Sequence, residues 1–199
     1  MWKATVSAGL LIGAFLLGRV SAQDVEPSCE LCPSTYVSSE ELQRYIDVGR
    51  ESGATDQQVR SLDIGKSNVQ IAVAHRGALS APRSNSVASH DLVIEVYVVL
   101  SGTGTNRTGP DLVGRQRRSS ENRAVQFFNG PGNNSSDIRN PETHELKAGD
   151  VFVIPAGTGH QFTRIDDHIT YLMVRIDPDK VVPLMDERAS QSYLAERGF

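Results

Sequence analysis

The sequence predicts an all-β fold: a single antiparallel β-barrel, or double-sheet jelly roll, with a short N-terminal helix and a C-terminal helix. Three observations predict it. Val69 to His75 alternates side chains in the manner of a half-buried strand. Glu95 to Ser101 and Asp150 to Ile154 are β-branched runs, the first closed by Gly102 and the second by Pro155. No internal repeat divides the 199 residues, so one barrel is expected rather than two. With 39% hydrophobic and 22% charged residues the composition is that of one globular domain, and a formal net charge of −4 lacks the basic excess a general nucleic-acid binder needs.

Residues 1–22 read as a secretory signal peptide. Lys3 supplies the positive flank, Leu10 to Leu17 the apolar centre and Val20-Ser21-Ala22 the small-residue cleavage site, while the uncharged run from Ala4 to Gly18 is short for a membrane-spanning helix. Cleavage before Gln23 predicts a secreted, extracellular protein with no membrane attachment and a charge of −6, since Lys3 and Arg19 leave with the peptide. Cys29 and Cys32 then stand near the mature N-terminus, where they can close a small disulfide loop in an oxidising compartment or supply half of a zinc site. The N-terminal segment, residues 23–60, holds a predicted helix. It opens on the capping box Ser38-Ser39-Glu40-Glu41, carries Leu42, Tyr45, Ile46 and Val48 as an apolar stripe and stops at Gly53. Its expected place is against the outside of the barrel, and Thr55 to Arg60 is expected to form a second helical turn.

The barrel is expected over residues 61–180. Val69, Ile71, Val73 and His75 share one face of the first strand, and Gln70, Ala72 and Ala74 the other. Residues 77–89 read as a loop; Glu95 to Ser101 and Gly104 to Thr108 as separate strands; and Ala124 to Phe128 as a strand between two Gly-, Asn- and Ser-rich loops. The first of those loops carries Arg115, Arg117 and Arg118, a cluster suited either to a solvated surface or to greeting an anionic substrate. Asp166-Asp167 is expected to turn the chain into a last strand, Ile169 to Ile176, and the tail, residues 181–199, to hold a helix near Met185 to Arg197. Three sequons, at Asn106, Asn133 and Asn134, predict exposed loops where a glycan fits.

Two stretches carry the chemistry. His90-Asp-Leu-Val-Ile-Glu95 leads to Gly102, and Gly149 leads through Pro155 and Gly157 to His160. In this order and spacing they resemble the two signature motifs of the cupin superfamily, over roughly residues 68 to 178. Two positions depart from the pattern: Ala88 stands where the first histidine belongs, and Arg164 where an asparagine belongs. The resemblance implies a metal site made of His90, Glu95 and His160, two imidazoles and a carboxylate on the inner wall of a barrel. That set suits iron, manganese, zinc or nickel as a divalent metal cofactor. The fourth protein ligand usual in the family is missing at Ala88.

Strand parity places Tyr97 and Val99 with Glu95, and Phe162 with His160, which makes Tyr97 the candidate proton donor or substrate contact. His75 is a second catalytic candidate, as a general base at the cavity mouth. The expected function is that of a secreted cupin enzyme acting on a small oxygenated organic molecule. An oxygenase is preferred because three ligands leave open coordination positions. The alternatives are a non-redox isomerase, lyase or cyclase using the same metal, or a germin-like binding or structural protein. The partner expected is a small-molecule substrate, with no nucleic acid, and assembly as a homodimer is left open.

Overall fold

The computed structural model describes residues 26–199, so the predicted signal peptide lies outside the described residues. The described residues fall into two units, 26–32 and 33–199. Of the first, the described residues hold a disulfide between Cys29 and Cys32. No helix among the described residues is long and apolar enough to cross a membrane.

The second unit opens on helix α1 (Ser39–Ser52). Ser38 caps it by accepting from the Glu41 backbone N–H at 3.1 Å, and Gly53 ends it in the left-handed region at φ 68°. Its apolar stripe packs Tyr45, Ile46 and Val48 against Val59 and Val73, as the periodicity predicts. Glu41, however, does not complete a capping box. Its carboxylate receives both terminal nitrogens of the fully buried Arg60, at 2.7 and 3.1 Å, and the Ser190 hydroxyl at 3.1 Å. Arg60 in turn corrects the expected helical turn at Thr55 to Arg60. Asp56 to Arg60 belong to strand β1 (Asp56–Asp63), because pairing with β2 (Asn68–Leu79) satisfies their backbone and brings Arg60 beneath α1.

Two long strands organise the rest. β4 (Ile94–Gly109) and β11 (Gly159–Asp177) pair antiparallel and each belongs to two sheets. The earlier part of β4 and the later part of β11 lie in a sheet with the order β1, β2, β11, β4 and β10 (Val151–Ile154). The remaining parts lie in a second sheet. There β11 meets β3 (Val87–His90), which pairs β7 (Gly132–Ser135) and then β6 (Gln116–Arg117), while β4 pairs β9 (Glu142–Lys147). A two-stranded ribbon of β5 (Leu112–Val113) and β8 (Asp137–Ile138) and a closing helix, α2 (Glu187–Ala195), complete the chain. This is a double-sheet β architecture of the predicted class, although the hydrogen-bonded ladder does not run round into a closed ring.

Several expectations change here. Neither Gly102 nor Asp166-Asp167 ends a strand; β4 and β11 continue and shift register together. Gly102 sits at φ 75°, and a Cβ there would run into the His168 carbonyl oxygen, so the two bends are built as one. Ala124 to Phe128 is not a strand, since Val125–Asn129 forms a single π-helical turn. The Gly- and Asn-rich stretches read as loops supply β6, β7 and β8, whose pairing lies far apart in sequence. Asn106 and Asn133 are buried within strands β4 and β7, against the expectation of exposed loops, and of the three sequon asparagines Asn134 alone is exposed.

Between the sheets lies one apolar cluster built from Ala72, Ala74, Tyr97, Val99, Ile169, Tyr171 and Met173 with residues of β9, β10 and β11. Its members show which face of β2 looks inward. Ala72 and Ala74 do, whereas Ile71 and Val73 pack outward against α1.

Candidate metal centre

Three elements deliver the three predicted ligands. His90 ends β3, Glu95 lies one residue inside the start of β4, and His160 lies one residue inside the start of β11. Gly157, at φ 80°, turns the chain ahead of His160, and its N–H donates to the His90 carbonyl at 2.6 Å, tying the two motif segments together. One ligand-type atom from each of His90, Glu95 and His160 falls within 4.8 Å of the others. His90 Nε2 faces Glu95 Oε1 at 3.5 Å, and His160 Nε2 faces Glu95 Oε2 at 3.5 Å, both long for a good hydrogen bond. The rings stand 5.2 Å apart and are tilted by 52°.

The surroundings set the protonation states. Burial alone would raise the Glu95 carboxyl, but His90, Arg175 and His160 and the hydrogen bond from Tyr97 together hold it well below the usual carboxylate range. Burial pushes the His90 imidazole down to about 3 against the pull of Glu95, and burial lowers His160 as well. Both imidazoles are therefore neutral and the carboxylate ionised at neutral pH, the forms that ligate a divalent ion. His160 Nδ1 lies 3.3 Å from the Thr158 carbonyl, which accepts its N–H and leaves Nε2 with its lone pair towards Glu95. Two nitrogens and one carboxylate, so protonated and so spaced, fit a divalent metal of the non-haem iron, manganese, nickel or zinc type.

Around Glu95 the wall is polar. Tyr97, two residues along β4, donates its hydroxyl to Oε2 at 2.8 Å. Arg175 Nε donates to Oε1 at 3.1 Å, its Nη1 to Gln58 Oε1 at 3.0 Å and its Nη2 to Asp56. Around His90, Arg118 Nη2 lies 3.4 Å from Nδ1 while donating to the Ser89 and Asn133 carbonyls, and Asn129 Nδ2 lies 3.3 Å from Nε2. Ala88 is the cross-strand partner of His160 and lines the cavity, so a methyl group stands at the position of the fourth ligand.

The triad lines a cavity of about 270 Å³ that shares Thr55, Arg76, Ala88, Tyr97 and His160 with a wider one of about 700 Å³. Tyr97 is thus brought to the metal residues, as strand parity predicts. His75 is not brought into the ligand group. Its face of β2 is the outer one; the ring stacks on His168 with centroids 5.7 Å apart, Nδ1 bonds the Thr170 hydroxyl at 2.8 Å, and it reaches the rim of the wider cavity. Arg164 is exposed and pairs with Asp166.

The residues that sequence reasoning missed are Arg175, Asn129 and Arg76, while Arg118, one of the loop arginines read as a solvated surface or an anion contact, comes to the His90 ring. Arg175 had a legible signal: it shares strand parity with Tyr171 and Met173, so a charge falls on the inward face of an otherwise apolar run. Asn129 arrives from a short π-helical turn and has no such signal.

The AraC-like ligand binding domain family matches residues 136–197, a span that contains Gly149, Pro155, Gly157 and His160. No curated protein matches the chain. Among solved structures, the chain is similar to a protein of Bacillus halodurans at 14% identity, covering 82% of this chain and 98% of that one with a TM-score of 0.40. A cupin protein from Bacteroides fragilis is 17% identical, over 79% of this chain and 93% of its own, with a TM-score of 0.36. A protein of Klebsiella pneumoniae with a double-stranded β-helix domain is 17% identical over 77% and 99%, with a TM-score of 0.40.

Proposed function

We propose that this chain, a member of the cupin superfamily, is a secreted metal-dependent enzyme that acts on a small oxygenated organic molecule, as an oxygenase. Its metal would be held by His90, Glu95 and His160. One observation carries the reading: two neutral imidazoles and an ionised carboxylate from three separate strands converge to within 4.8 Å in a cavity that continues into a wider one. A divalent metal bound there supplies Lewis acidity and, where it is iron, the capacity to activate dioxygen. Ala88 favours the oxygenase over chemistries needing a saturated metal, because its methyl group leaves that side of the centre open. The Cys29–Cys32 disulfide supports the export part of the proposal.

The chain's own residues then have defined tasks. Arg175 and Tyr97 hold the two oxygens of Glu95 and so fix the plane of the carboxylate. Thr158 holds the tautomer of His160. Phe162, Ile165 and Leu79 line the wider cavity with apolar surface that receives the body of a substrate.

A second reading is favoured by Tyr97. Burial and Glu95 raise its hydroxyl well above the ordinary range, so it keeps its proton and stands beside the centre as a hydrogen-bond donor, a group an isomerase or lyase can turn to a developing oxyanion. Metal analysis of untagged protein purified without added metal tests the common premise. About one divalent ion per chain is expected, lost in His160→Ala and Glu95→Gln; wild-type protein that takes up no more metal than these variants overturns it. Oxygen uptake during turnover of the iron form then decides between the readings: turnover without uptake rejects the oxygenase.

A further inference from the structure

Arg76 lies on the inward face of β2, next in parity after Ala72 and Ala74. Its Nε donates to the Tyr171 hydroxyl at 3.1 Å, and its guanidinium lies 5.2 Å from the centre of the Phe162 ring. These contacts orient the group without neutralising it. Other arginines drawn into the fold have their charge answered. Arg60 faces Glu41, Arg107 faces Asp137 and Arg175 faces Glu95 and Asp56, while Arg118 spends its guanidinium on backbone carbonyls. Among the described residues, no carboxylate lies within 4.0 Å of Arg76.

Asp56, which lines the narrower cavity with Arg76, attracts the guanidinium through space, but its carboxylate is hydrogen-bonded to Arg175, so Arg76 has no anion bonded to it directly among the described residues. Arg76 lines both cavities, together with Tyr97 and His160, and no acidic residue lines the wider one. A cation turned into a protein interior costs stability unless an anion meets it, and the missing anion here has an open route in. Arg83 lines the same wider cavity and adds positive field without a carboxylate partner among the described residues.

We infer that Arg76 binds a carboxylate of the substrate, so that the molecule presented to His90, Glu95 and His160 is a small organic acid. A planar guanidinium matches a carboxylate with two parallel hydrogen bonds. Phe162, Leu79 and Ile165 offer apolar walls for the rest of the acid. This names the substrate class for the proposed function and rests on the barrel interior being the active site.

The test uses benzoate, its neutral counterpart benzamide and inorganic phosphate, titrated calorimetrically into the wild-type protein and Arg76→Gln, each metal-free and zinc-loaded. Metal-free wild-type protein is expected to bind benzoate roughly tenfold or more tighter than benzamide, and more tightly than phosphate. Arg76→Gln is expected to lose that preference. Equal binding of benzoate and benzamide, no benzoate binding without metal, phosphate tighter than benzoate, or benzoate binding unchanged in Arg76→Gln overturns the inference. The wild-type comparison decides even if the variant does not fold. Benzoate held through Arg76 by a protein that takes up no metal sustains this inference while the metal reading fails. Metal uptake without benzoate binding defeats this inference alone.

Discussion

Arg175 and Glu95 face each other directly across the β11–β4 ladder, and the arginine Nε donates to Glu95 Oε1 at 3.1 Å. Both side chains are almost completely buried, and the same guanidinium also serves Asp56 and Gln58. Arg175 is therefore the cation that answers the buried Glu95 and the part-buried Asp56. Removing it leaves them uncompensated, so Arg175→Gln is expected to destabilise the protein by about 3–5 kcal/mol. Urea unfolding checks this, and a change under 1 kcal/mol contradicts the assigned role.

Stability should fall with acid in metal-free protein well before the carboxylates titrate. His90 is held at about 3 and His160 is also lowered, whereas an unfolded histidine takes its proton near 6.5. Below that value the unfolded chain binds protons that the folded chain refuses, so stability is complete above about pH 6.5 and declines between there and about 3. Each such proton contributes up to about 1.4 kcal/mol per pH unit. Unfolding free energies from pH 7.5 to 4.5, in the presence of a chelator, measure the slope, and His90→Gln should flatten it.

Tyr97→Phe removes one hydroxyl and keeps the ring, which packs against Tyr171 with centroids 4.3 Å apart. The lost hydrogen bond to an ionised acceptor is expected to cost about 1.5–3 kcal/mol. Metal uptake should survive, because the three ligands remain. A variant that folds and binds metal yet has lost the alkaline limb of its pH–rate profile identifies Tyr97 as the proton donor; an unchanged profile confines it to positioning Glu95.

Ala88→His is expected to add a fourth ligand, since Ala88 pairs with His160 and lines the same cavity. Metal affinity should rise on the order of tenfold or more, while turnover falls as an open position fills. Competition with a chromogenic chelator reads the affinity. No gain means that the β3 backbone does not aim position 88 at the centre.

The sequence by itself determined the class of the fold, the cap and stripe of α1, and the three residues that converge at the candidate centre. Each of those rests on local chemistry: alternation along a strand, a serine cap and a left-handed glycine at helix ends, positive-φ turns at Gly149 and Gly157. Tyr97 followed from parity alone. Tertiary structure decided what depends on partners distant along the chain. It turned Asp56 to Arg60 from helix into strand because β2 offered hydrogen bonds, and made β4 and β11 continuous through a shared bend at Gly102 and His168. It also put the inward face of β2 on the Ala72, Ala74 and Arg76 side, since α1 covers the valines. A two-residue period says that a strand has two faces but not which one meets the core. That choice kept His75 out of the group formed by His90, Glu95 and His160 and put Arg76 on the wall of their cavity.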